Sequence, residues 1–247
     1  MQKDNWTSPP DSLELESHYV DVWRIALDLS SDSIKLIEST LSADETQKAA
    51  RFHFPADRDR FIAAHGSLRA ILGRYLRCKP VELTFSVNSY GKPALLNSNL
   101  EFNLSHSGDF AMVAVTLDRK IGVDIERIRP DMELENIASR NFSEIEVSEL
   151  MGLPPEQRGI GFFNCWTRKE AYIKAQGLGL SLPLESFDVS LTPGQPAILR
   201  ATRPDPQESA RWTLRPLDVA PNYAGALAVE GIDLDFRFWD WNLAVHI

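Results

Sequence analysis

Asp124 and Glu126 alternate with Val123 and Ile125 in the stretch Gly122-Val123-Asp124-Ile125-Glu126. On an extended strand the period of two sends both carboxylates to one face and both aliphatic side chains to the other. At a rise of ~3.3 Å per residue their Cα atoms stand about 6.6 Å apart, within reach of a shared cation and repulsive without one. Hard divalent ions take oxygen ligands, and magnesium typically uses one or two carboxylates with waters and phosphate oxygens. An edge strand with a solvated acidic face is the plainer reading of Asp-x-Glu by itself. Glu170 adds a third carboxylate. Phe163, Trp166, Glu170 and Ile173 lie at helical spacings of three and four, so a charge interrupts an apolar stripe. A carboxylate so directed needs either Lys174, four residues on, or a cation held jointly with Asp124 and Glu126.

Ser105-His106-Ser107, inside Phe102-Asn103-Leu104-Ser105-His106-Ser107-Gly108, offers several donors to an anion. A turn whose side chains bond local backbone is the alternative. A serine hydrolase is disfavoured, because Ser105 and His106 are adjacent and no Gly-x-Ser-x-Gly elbow exists. There is likewise no Gly-rich dinucleotide or P-loop turn.

The elements that must position these groups follow from periodicity. A strand is expected over Val20–Leu29, with Trp23, Ile25, Leu27 and Leu29 on one face. Ser42 with Glu45 forms a capping box, and Pro55 opens a longer helix through Phe61, Ala64, Leu68, Ile71, Leu72 and Tyr75. Short strands near Leu83–Val87 and Ala111–Leu117 follow. A similar order then restarts with a strand at Ile121–Ile128, a second capping box at Ser143 and Glu146, and a helix from about Gly159 to Gln176 ended by Gly177. Strands at Ser186–Leu191, Ala197–Ala201, Arg211–Leu217 and Tyr223–Val229 complete an α+β pattern. The recurrence divides the chain into two halves, 1–120 and 121–247.

The 247 residues are 43% hydrophobic, which excludes disorder and small disulfide scaffolds. The balance of 26 basic against 35 acidic residues, net −9, argues against nucleic acid as a partner and confines any anion to a local site. Two cysteines, Cys78 and Cys165, point to a reducing compartment, and neither a secretory signal nor a membrane-length apolar run is evident, so a cytoplasmic location is expected.

Read in order, Tyr90-Gly91-Lys92-Pro93, Phe102 to Ser107, Gly122 to Glu126 and Trp166-x-x-Lys169-Glu170-Ala171-x-x-Lys174 resemble the 4′-phosphopantetheinyl transferase superfamily, in its long, Sfp-type (surfactin-synthetase-activating) branch. The resemblance runs from about Lys48 to Leu184. It implies a monomer of two similar α+β halves related by a pseudo-twofold, each with helices on a small antiparallel sheet and with coenzyme A in the cleft between them. It also implies transfer of the phosphopantetheine arm to a serine of an apo acyl or peptidyl carrier protein. By position, Asp124, Glu126 and Glu170 are the implied magnesium ligands. Glu170 and Lys174 are the implied catalytic residues, with Glu146 a weaker candidate for the base. Lys48, Arg51, Lys92, Ser105, His106, Asp124, Lys169 and Lys174 are the implied coenzyme A contacts, Lys48 and Arg51 toward its 3′-phosphate. Glu45 and Pro55 stand where other members can carry lysine, and Arg58 or Arg69 are substitutes for that contact. The surface expected to dock the carrier lies on the helices around Phe142 and Leu150. A magnesium-dependent phosphohydrolase, or a binding module without turnover, is the competing reading.

Overall fold

The computed structural model describes residues 4–129, 132–203 and 205–243. In chain order β1 (Tyr19–Ala26) precedes α1 (Ser31–Glu38), α2 (Ala43–Ala49), α3 (Pro55–Leu76), β2 (Phe85–Val87), β3 (Pro93–Leu95), β4 (Leu100–Ser107) and β5 (Phe110–Leu117). After these come β6 (Ile121–Arg127), α4 (Leu134–Asn141), α5 (Glu144–Gly152), α6 (Pro155–Gln176), β7 (Phe187–Val189), β8 (Leu199–Thr202), β9 (Trp212–Leu217), β10 (Tyr223–Glu230) and β11 (Asp235–Trp241).

The helix boundaries have local causes. Both predicted capping boxes form: Ser42 accepts from the Glu45 N–H while Glu45 accepts from the Ser42 N–H, and Ser143 and Glu146 do the same on α5. α6 begins at Pro155, four residues before the predicted start, because proline fits the first turn, where its missing N–H costs nothing. It ends on Gly177 at φ 68°, a left-handed cap that glycine adopts without strain.

Two sheets carry the molecule. One has the order β11-β1-β5-β4 and the other β6-β10-β9. The order β1-β5-β4 recurs as β6-β10-β9, and each set of three strands is served by a 22-residue helix, α3 or α6. The recurrence read from the sequence is thus a repeated α+β topology. One correction applies to it: β11, from the second stretch, returns to the first sheet and pairs with β1 in parallel, Val22 opposite Phe238, so that sheet is not wholly antiparallel and residues 121–247 do not all lie with the second half.

Alternation decides the layers. In β1, Trp23 and Ile25 join the core beneath α1 and α3, whereas Val20 and Val22 face the second sheet. In β6, Ile121, Val123 and Ile125 join Val20, Val22, Met112 and Leu227 in an intersheet core. Ala224, Ala226 and Ala228 of β10 turn the other way, toward α6. The layers therefore run helix, sheet, sheet, helix. Among the described residues no helix is long and apolar enough to cross a membrane.

Candidate active site

With Val123 and Ile125 in the intersheet core, Gly122, Asp124 and Glu126 face α6. Gly122 sets the separation, because a Cβ there would lie 2.1 Å from the Ala171 carbonyl oxygen and 2.4 Å from the Ala175 nitrogen. Only a residue without a side chain lets α6 come so near. The close approach brings the Glu170–Lys174 turn onto Asp124. Lys174 Nζ donates to Asp124 Oδ1 at 2.6 Å and to Ser105 Oγ at 2.9 Å, and Ser105 Oγ donates to the same Asp124 oxygen at 3.0 Å. Glu126 Oε2 accepts from Ser107 Oγ at 2.8 Å.

The carboxylates feel one another. Burial raises the Glu170 pKa, the charges of Asp124 and Glu126 raise it further, and Lys174 pulls it back. Burial likewise raises Asp124, against Lys174 and Ser105, and raises Glu126, against its Ser107 hydrogen bond. Among the described residues no three acidic, histidine or cysteine side chains are already drawn together as a metal cage. Asp124 nevertheless is only 4% exposed and its Oδ2 has no hydrogen-bond partner. A buried carboxylate oxygen left unpaired is costly, and a cation is the partner its chemistry asks for. The donor set, all oxygen, fits a hard divalent ion.

Beside these groups lies a cavity of about 280 Å³ lined by Tyr90, Lys92, Asn103, Glu170, Ile173 and Lys174. The tip of the β2–β3 hairpin closes one side, Asn88 Nδ2 donating to the Gly177 carbonyl at 2.8 Å. Lys92 lines the cavity but commits its ammonium to the carbonyls of Ile121 (3.0 Å) and Ala175 (3.2 Å), tying the hairpin to β6 and α6.

On the face of β4 shared with Phe102 and Leu104, toward α3, desolvation and the neighbouring His65, Lys174 and Lys48 hold the His106 pKa below its usual range. These groups share one positive field, suited to an anion. Lys48 Nζ sits 5.1 Å over the Phe61 ring, and Arg51 is exposed. Arg69 does not serve as a substitute phosphate contact: it is buried and bonded to Glu45 Oε2 (2.5 Å), the Pro80 carbonyl and the Leu83 carbonyl. Arg58 is paired with Glu38 at 3.1 Å.

Three further corrections concern α5 and α6. Lys169 is 0% exposed and bonds Glu146 Oε2 (2.8 Å) and the carbonyls of Leu184 (2.7 Å) and Phe187 (2.6 Å), so its ammonium is consumed inside the second half and cannot meet coenzyme A. Glu146, its partner, also accepts from the N–H groups of Ser143 and Val189, and is a structural hub rather than a base. Phe142 and Leu150 are 5% and 1% exposed and belong to the core under α6, so they cannot form a docking surface; Ile145 is the outward apolar residue of α5.

The sequence reading gave Asn103 no role in the site, took Ser107 only as one of several donors to an anion, and left His65 out of the site. The signal for the first two was present, since Asn103, Ser105 and Ser107 alternate with Phe102 and Leu104 as residues of one strand face do.

Comparison with known proteins identifies the family. Residues 120–228 match the 4′-phosphopantetheinyl transferase superfamily, and residues 28–118 match the 4′-phosphopantetheinyl transferase N-terminal family. The chain is 41% identical over 245 residues to the 4′-phosphopantetheinyl transferase HetI of Nostoc sp. strain PCC 7120, covering 98% of this chain and 100% of that one. It is 35% identical over 164 residues to the 4′-phosphopantetheinyl transferase Sfp of Bacillus subtilis strain 168, covering 66% and 72%. The crystal structure of Thermotoga maritima holo-[acyl-carrier-protein] synthase aligns at 20% identity over 45% of this chain and 62% of that one with a TM-score of 0.36, too slight a likeness to carry weight.

Proposed function

We infer that this chain, which belongs to the 4′-phosphopantetheinyl transferase superfamily, moves the phosphopantetheine arm of coenzyme A onto a serine of an apo carrier protein. The serine oxygen bonds to the β-phosphorus, the bond from that phosphorus to the oxygen bridging the α-phosphate breaks, and adenosine 3′,5′-bisphosphate leaves.

The unpaired Asp124 Oδ2, buried beside Glu126 and Glu170, is the observation that best supports the assignment of this chain's residues. Asp124, Glu126 and Glu170 would hold magnesium. Bound there, the ion would supply charge neutralisation to the departing phosphate. Glu170 borders both the carboxylates and the cavity, which suits it to receive the proton of the serine hydroxyl. Lys174 and Ser105, already bonded to one another, would turn their donors to the diphosphate. His106, with Lys48 beside it and with Arg51, three residues after Lys48, would take the remaining phosphate charge. Lys92 contributes its stem to the cavity wall and fixes the hairpin that covers it.

Both halves of the site come from one chain, which supports a monomer as the working unit. Both cysteines are free, which supports a reducing compartment, the cytoplasm.

Intact-mass spectrometry of apo carrier proteins incubated with the chain, coenzyme A and magnesium tests the reading. The expected result is a carrier heavier by one phosphopantetheine, with the rate lowered roughly 10²-fold or more in Asp124→Ala and Glu170→Ala. Release of free phosphopantetheine without carrier modification would overturn transfer in favour of hydrolysis. Parental rates in both variants would overturn the residue assignment.

A further inference from the structure

Among the described residues β4 and β6 are edge strands of different sheets, β4 paired only with β5 and β6 only with β10. Where they meet, side chains of β4 substitute for a backbone ladder. Asn103 Oδ1 accepts the Val123 N–H at 2.9 Å, Ser105 Oγ donates to Asp124, and Ser107 Oγ reaches Glu126. The three residues are spaced by two, so one face of β4 addresses successive stations along β6.

Ser107 differs from Ser105 in what fixes its hydroxyl, the backbone of β6 and not a lysine side chain. Its oxygen accepts the Arg127 N–H at 3.1 Å, and its single proton is directed to Glu126 Oε2 at 2.8 Å. Glu126 has no ion pair among the described residues: the Asp124 charge repels its carboxylate, and Lys174 and Arg129 attract it only from beyond salt-bridge distance. A glutamate has three rotatable torsions, so an untethered Glu126 would leave its neighbour. The backbone of β6 holds Ser107, and Ser107 in turn holds the end of the Glu126 side chain.

We propose that Ser107 is a positioning residue, fixing the Glu126 carboxylate beside Asp124 so that the two present oxygens to one divalent cation. The inference rests on the metal-ligand reading above. Groups that orient ligands in this way typically contribute 10–100-fold to metal affinity.

Manganese serves as a paramagnetic stand-in for magnesium, and loss of the free-ion electron-resonance signal on titration into the full chain with coenzyme A bound reports its affinity. Asp124→Ala should abolish binding. Ser107→Ala should weaken it about tenfold, and Ser107→Thr, which keeps the hydroxyl, should restore it. Ser107→Val, matched in shape to threonine, should bind like Ser107→Ala, separating hydroxyl from volume should the smaller residue disturb packing. Parental affinity in Ser107→Ala and Ser107→Val, with Asp124→Ala unable to bind, overturns the positioning role and leaves the metal reading standing. Equal losses in Ser107→Thr and Ser107→Val overturn it too, since the hydroxyl would then be irrelevant. Undiminished binding in Asp124→Ala overturns the metal reading itself, and this inference with it.

Discussion

Lys169 and Lys174 lie five residues apart on α6 and have opposite surroundings. Lys174 stands at the border of the cavity and shares Asp124 with Ser105, whereas Lys169 is sealed against Glu146. The family resemblance gave both lysines to coenzyme A, whereas a helical turn of about 100° per residue rotates them to different sides. For Lys169→Met the expected change is therefore in stability, a loss of about 3–5 kcal/mol in chemical denaturation, because Glu146 is left buried with no countercharge. The double variant Lys169→Met/Glu146→Gln removes the orphaned charge but keeps an acceptor for only one of the Ser143 and Val189 N–H groups, which bond different Glu146 oxygens, so it should recover part of that loss. A single Lys169→Met variant that melts like the parent but binds coenzyme A poorly would return Lys169 to the ligand.

At the scale of elements, the site depends on the contact between β6 and α6. Gly122 has the Ala171 carbonyl oxygen where its Cβ would stand, so Gly122→Ala must push the helix away from the strand or bend the strand. Overpacking of this kind costs typically 1–3 kcal/mol. The same displacement lengthens the Lys174–Asp124 bond, so transfer should fall by more than the folded fraction does; denaturation curves and rates on one preparation check both. The strands flanking this contact were unequally legible. β6 and β10 are rich in alternating aliphatic residues, while β4 was read as a polar cluster because the residues it turns toward β6, Asn103, Ser105 and Ser107, are of types common in loops. Their polarity is explained by β6, whose N–H groups and carboxylates they satisfy, and that partner is invisible until the sheets meet.

For the whole molecule, β11 sews the end of the chain to its beginning. Asp21, buried in β1, receives both Arg237 Nε at 2.6 Å and Arg237 Nη2 at 2.8 Å, and Tyr75 bonds the same carboxylate. Trp241 packs edge-on against Trp23 with ring centroids 5.9 Å apart. A fragment of residues 1–120 therefore lacks one strand of its own sheet and the cation for a buried aspartate. Scanning calorimetry should show one cooperative transition for the full chain and none for that fragment; a fragment with a sharp transition of its own would refute the dependence. The repeated topology made a cut after Lys120 natural in the sequence, and nothing local in Asp235–Trp241 says which sheet it joins. Period and capping chemistry are written in consecutive residues, which is why the two capping boxes, the shared face of Asp124 and Glu126 and the glycine end of α6 could be read directly. Which lysine reaches the site, which strand completes the first sheet and which serine holds Glu126 are set by contacts between residues far apart in the chain, and only the folded arrangement of the two sheets and α6 decides them.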